Sequence, residues 1–139
     1  MARVKIDLPD RFDFRTEFVV SIGQINPGNH MGNNALVALL NEAFLRFMEH
    51  KGFPDLMVDG LVAVNADLAL INKAEMFRGD RLEVEGAAVD FNTYGFDFVC
   101  RVTRKPTGEE TAVAKIGMLF FDLKAHKIGA VPEPFRRAC

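Results

Sequence analysis

One loop concentrates the side chains able to do chemistry. Between Gly23 and Asn34 the chain reads Gly-Gln-Ile-Asn-Pro-Gly-Asn-His-Met-Gly-Asn-Asn, dense in residues that form turns. His30 is its one titratable side chain, and imidazole changes charge near neutrality, which suits a general base. The amides of Gln24 and Asn26 are placed to orient a water or a carbonyl, although amides in turns more often serve only the backbone. Asn33 and Asn34 fall where a helix starts, and the unpaired N–H groups of a helix N-terminus make a donor site for an oxyanion. A base for water beside oxyanion donors is the equipment for hydrolysing an ester-like carbonyl. Gly28 and Gly32 let a substrate approach closely, or simply close a tight turn.

Other charged residues have competing readings. Glu42 stands four before Arg46, and an i,i+4 ion pair accounts for it without catalysis. Asp67 is expected on the same strand face as Asn65, opposite the apolar side, where it can offer a carboxylate across a subunit interface. Arg101, Arg104 and Lys105 cluster beside a turn and are candidates to meet phosphates, or are merely solvated. Arg78-Gly79-Asp80 matches an integrin-binding tripeptide but reads more simply as a strand-entry turn. His50 and His126 have no partners at metal-ligand spacing, and Cys100 and Cys139 do not form a C-x-x-C pair. The expectation is chemistry without metal or redox cofactor.

The elements that must position the loop follow from periodicity. From Phe12 to Ile22 the even positions are mostly apolar and most odd ones polar, a half-buried strand. From about Asn33 to Lys51 the apolar residues Leu36, Leu39, Leu40, Ala43, Phe44, Phe47 and Met48 have helical spacing, with Asn33 as N-cap and Gly52 and Pro54 as the stop. Such a helix is ~27 Å long. Ala35–Leu40 holds no polar residue, so this part must be wrapped on nearly every side. Four further strands follow, around Leu61–Ile71, Leu82–Ala88, Phe96–Val102 and Ala112–Phe120. The order β-α-β-β-β-β implies an α+β architecture, a curved antiparallel sheet of about five strands around one long helix. Its second face also bears apolar residues, among them Val99, Val113, Leu119 and Phe121, which a second subunit can cover.

Length and composition bound the partners. With 139 residues and 49% hydrophobic content, a single domain over residues 1–139 is expected. A formal net charge of −2 leaves no broad basic surface for a nucleic-acid backbone. The first residues lack the apolar core of a secretion signal and no apolar run approaches the ~20 residues that span a bilayer, so the expected location is cytoplasmic.

These segments resemble the hot-dog-fold thioesterases, in particular the branch similar to 4-hydroxybenzoyl-CoA thioesterase. Gly23–Asn34 with Asn41-Glu42-Ala43 looks like that family's G-D-x-D-x-x-G-H-x-N-N loop and E-A helix. Phe77-Arg-Gly-Asp-Arg-Leu-Glu-Val84 is similar to its G-D-x-L-x-V strand entry, and Gly95–Phe98 with Ala112–Asp122 to its last strands. The resemblance implies a hot-dog fold, a homodimer or dimer of dimers, and hydrolysis of an acyl-CoA or acyl-carrier-protein thioester, with CoA present only as part of the substrate. It matches His30 to the loop histidine, Asn33 to the second asparagine, and Gln24 and Asn26 to the two aspartate positions. Gln24 departs from the pattern, because an amide replaces the catalytic carboxylate. Two alternatives stay open: a non-catalytic thioester-binding or scaffold protein, and an enoyl-CoA hydratase of the hot-dog type, whose G-D-x-N-P-x-H loop Gly23–His30 also resembles.

Overall fold

The computed structural model describes residues 3–139; the first two positions of the domain expected over 1–139 lie outside them. Strand β1 (Phe14–Val19) leads through a 3-10 turn (Ile22–Gln24) and the loop into α1 (Asn33–His50). Then come β2 (Met57–Val58), β3 (Leu61–Asn72), β4 (Arg81–Val89), β5 (Gly95–Lys105), β6 (Glu109–Asp122), β7 (Lys127–Gly129) and a short α2 (Glu133–Ala138). The strands make one antiparallel sheet in the order β1-β4-β5-β6-β3-β2, with β7 on the end of β6. It is a curled half-barrel with α1 in its concavity. Seven strands replace the five expected, because β2 and β7 are too short to show a period of two. Gly32 is the N-cap of α1 and Lys51 its C-cap, each one residue off the expected boundary.

The register fixes the two faces. Opposite residues of an antiparallel pair share a face. Phe98 lies opposite Ile116, Cys100 opposite Ala114 and Val102 opposite Ala112, and all six are buried toward α1. Burial also pushes the Cys100 thiol up and keeps it inert. The apolar face of α1 packs here through Leu36, Leu39, Leu40, Ala43, Phe44, Phe47 and Met48. The Phe47 ring meets Phe98 tilted at 4.9 Å and Phe14 edge-on at 5.7 Å, between ring centroids. At the C-terminal end of α1, Phe135 of α2 sits against Phe53, Phe91, Phe96 and Phe120 and seals that end of the roll.

Three expectations change. The sheet does not enclose the first turns of α1, since Val37 is half-buried and Ala38 exposed. In β3 a bulge between Asn65 and Asp67 breaks the alternation: Asn65 pairs with inward-facing Met118, but Asp67 pairs with Gly117 on the outer face. The two residues therefore lie on opposite faces rather than one. A Cβ at position 117 would fall 2.1 Å from Asp67 Oδ1, so glycine makes room for that carboxylate. Finally, Val99 and Val113 on the outer face are buried without a second subunit, at 1% and 3% exposure. The N-terminal segment crosses that face, with Phe12 against the Arg101 guanidinium and Pro9 beside Ala87 and Val89. Leu119 and Phe121 remain half-buried.

Phe47 has no exposed surface and meets rings from α1, β1 and β5. Phe47→Ala is expected to lower the unfolding free energy by about 3–5 kcal/mol, read as a shift of the urea midpoint at unchanged slope.

Candidate functional site

The loop before α1 is a closed clasp. Asn26 N–H donates to the His30 carbonyl at 2.9 Å, His30 N–H donates to Asn26 Oδ1 at 3.4 Å, and Asn29 turns the chain at φ 70°. Left-handed backbone is tolerated by asparagine better than by most residues. Gln24 closes the preceding turn, where its Oε1 accepts from Ser21 N–H at 2.8 Å and from the Ser21 hydroxyl at 3.3 Å. Both amides thus serve the backbone. Met31 N–H donates to the Met76 carbonyl at 2.7 Å and ties the loop to the β3–β4 connection.

His30 is held differently. Its Nδ1 lies 3.1 Å from the Met31 carbonyl, which only accepts, so the neutral ring carries its proton on Nδ1 and the lone pair on Nε2. Nε2 sits beside Gly28, where a Cβ would come within 3.3 Å of it. No side chain caps α1, so its first N–H groups lack a side-chain acceptor, and Asn33 of that first turn lines the same cleft as His30.

Two clefts flank that helix end. The first, of about 340 Å³, is lined by His30, Met31, Asn33 and the stretch Asn72–Met76. Asn33 Oδ1 accepts from Asn72 Nδ2 at 3.0 Å across its wall, and Lys73 is ion-paired with Glu110. The second, of about 330 Å³, is lined by Gly23–Pro27, Asn34 and Ala35. The loop residues read from the sequence are therefore divided: His30 and Asn33 share one cleft, while Gln24, Asn26 and Asn34 share the other. Asn72, Lys73 and Met76 were not anticipated. They are about 40 residues from Asn33 in sequence, and no local pattern marks their approach.

The profile of the thioesterase-like superfamily matches residues 20–139. The chain belongs to that superfamily. The match takes in the loop, α1 and every later strand. No curated protein matches the sequence. Among solved structures, Slr0204, a 1,4-dihydroxy-2-naphthoyl-CoA thioesterase from Synechocystis, superposes with a TM-score of 0.81 at 16% identity, covering 90% of this chain and 93% of that one. YbaW, a probable thioesterase from Escherichia coli, gives 0.80 at 20% identity over 89% and 94%. A hypothetical protein from Staphylococcus aureus, solved in complex with CoA, gives 0.83 at 15% identity over 96% and 85%. These likenesses establish the hot-dog fold of the superfamily.

The remaining candidates do not line the first cleft, and of them Arg104 alone bonds to a residue that does. Asp67 stands on the outer face beside Lys5 and Lys115. Arg101 makes a two-pronged contact with Glu85, through Nε at 3.1 Å and Nη2 at 3.0 Å, and Lys105 lies 3.5 Å from Glu83. Arg104 pairs with Asp80 and Glu109 and donates to the Glu75 carbonyl at 2.6 Å, bracing a wall of the first cleft. The three cations do not form one patch. Among the described residues, no group of three or more His, Cys, Asp or Glu is placed to hold a metal ion.

Glu42 is paired with Arg46 at 3.0 Å, and Arg46 also donates to the Thr16 hydroxyl at 2.8 Å and stacks on Phe18. The pair fastens α1 to β1. Glu42→Gln should cost about 0.3–0.5 kcal/mol in thermal or urea unfolding and leave any hydrolytic rate within twofold of wild type, roughly the effect of an exposed helix pair.

Proposed function

We propose that this chain is an acyl-CoA thioesterase, releasing free CoA thiol and a carboxylic acid. The observation that carries the reading is the His30 imidazole, its Nδ1–H held by the Met31 carbonyl, beside the uncapped N-terminus of α1. In this mechanism the thioester carbonyl lies against the N–H groups of Asn33 and Asn34. His30 Nε2 takes a proton from water as the oxygen attacks, and the oxyanion is stabilised by those donors and the positive end of the helix. Collapse breaks the C–S bond, and the imidazolium returns its proton to the departing thiolate. Gln24 and Asn26 hold the loop and neither accepts a proton. CoA as carrier, rather than acyl-carrier protein, is favoured by the CoA complex of the Staphylococcus aureus structure.

We also propose a homodimer or a dimer of such dimers. The outer edge of β3 is paired by β2 only at Leu61 and Val62, leaving the rest as an open strand, and Leu68 on it is 43% exposed. The second reading is a thioester-binding protein without activity. It is favoured by Gln24, an amide committed to Ser21 where the resemblance to the thioesterase loop implies a catalytic carboxylate. Enoyl-CoA hydration ranks behind both and would show as loss of the conjugated absorbance with the thioester intact.

Hydrolysis is checked by thiol release from a panel of acyl-CoAs without added metal. His30→Ala is expected to lower kcat/KM by about 10²–10⁴-fold, and Gln24→Ala by less than about tenfold. A neutral His30→Ala variant would place the base elsewhere. A binding-only protein would release no thiol from any acyl-CoA. Light scattering at micromolar concentration should give a dimer or tetramer mass, and a monomer would contradict the assembly.

A further inference from the structure

The cleft beside His30 ends on two methionines. Met31 and Met76 line it and also belong to the buried core, at 5% and 3% exposure. The Met31 N–H bond to the Met76 carbonyl clamps the two together at 2.7 Å. The core they join is filled by interlocked rings. Phe44 lies 5.1 Å from Phe98, Phe96 lies 4.9 Å from Phe135, and Phe120 lies 5.3 Å from Phe135. None of these phenylalanines lines the clefts at the helix N-terminus. A volume of about 340 Å³ is near the lower end for ligand sites, and much of its lining is polar: His30, Asn33, Asn72, Lys73 and Glu75.

Resting on the thioesterase reading, we propose that Met31 and Met76 form the floor of the acyl pocket and restrict it to short acyl groups. A long chain finds no path past them into the roll, which Phe135 closes from the other end. Buried methylenes add affinity one after another, whereas methylenes left in water add little. Chain length therefore reports the floor. Trimming either side chain opens space without removing the backbone bond that holds the clamp.

The test uses butyl-CoA and dodecyl-CoA thioethers, which cannot be hydrolysed, titrated calorimetrically into wild type and into Met76→Ala and Met31→Ala. Wild type should bind dodecyl-CoA no more than about threefold tighter than butyl-CoA, because the added carbons stay in water. Either trimmed variant should raise that ratio by about tenfold or more as the chain enters the opened core. The proposal is overturned if wild type gains more than about tenfold from the longer chain, or if a folded variant leaves the ratio unchanged. Met76→Leu, which keeps the volume, should retain the wild-type ratio. If both variants fail to fold, the wild-type ratio alone decides. The two readings fail separately: thioether binding in the expected order without thiol release from butyryl-CoA removes hydrolysis and keeps the floor, whereas thiol release with a steep length dependence keeps hydrolysis and removes the floor. Absence of binding by either thioether removes both.

Discussion

A helix whose apolar face runs from Leu36 to Met48 cannot present that face to water, and covering it governs the rest of the molecule. The sheet curls because one flat layer would touch only one stripe of the helix, and β1, β4, β5 and β6 turn their buried faces toward it. Burial of seven α1 side chains supplies the helix with the stability that propensity alone does not give. The same packing decides where chemistry can occur. Phe53 and Phe135 close the roll at the C-terminal end of α1, so the N-terminal end, with its free N–H groups, is the end that meets solvent.

At that end the loop divides its labour between amides and imidazole. Asn26 and Gln24 spend their side-chain oxygens on backbone N–H groups, which fixes the curve of the chain and leaves neither amide oxygen free as a base. His30 spends one nitrogen on the Met31 carbonyl and keeps the other. The Met31–Met76 bond and the Asn33–Asn72 bond then press the loop and helix onto the β3–β4 connection, forming the cleft from segments far apart in sequence. An amide at position 24 is compatible with this arrangement, since a turn-closing acceptor needs no charge.

Much of the architecture was legible because burial on one side of a strand or helix leaves a period. The helix boundaries, the alternation of β4 to β6 and their antiparallel pairing follow from it, but not the place of β3, which pairs with β6 rather than with β4, the next strand in the chain. The bulge in β3 was not legible: one unpaired residue changes no composition, yet it turns Asp67 to the outer face and separates it from Asn65. The cover of the outer face was missed for a similar reason. The segment through Pro9 and Phe12 lies against it without regular structure, so no repeat announces that these residues cover their own sheet. In the candidate site, local turn chemistry pointed to a loop that folds as a hydrogen-bonded clasp beside a cleft. The split between two clefts depends on pairings such as Asn33 with Asn72, which only the folded register provides.

The account's central claim is that the thioester carbonyl belongs beside His30, in the cleft walled by Asn33 and Asn72. A crystal structure with a ketone analogue of an acyl-CoA, in which a methylene separates carbonyl from sulfur, tests it most directly. The account predicts the ketone oxygen at hydrogen-bonding distance from the first N–H groups of α1, with His30 Nε2 facing the carbonyl carbon through one water. A ketone lodged instead among Gln24, Asn26 and Ala35, with His30 turned away from it, would contradict the assignment.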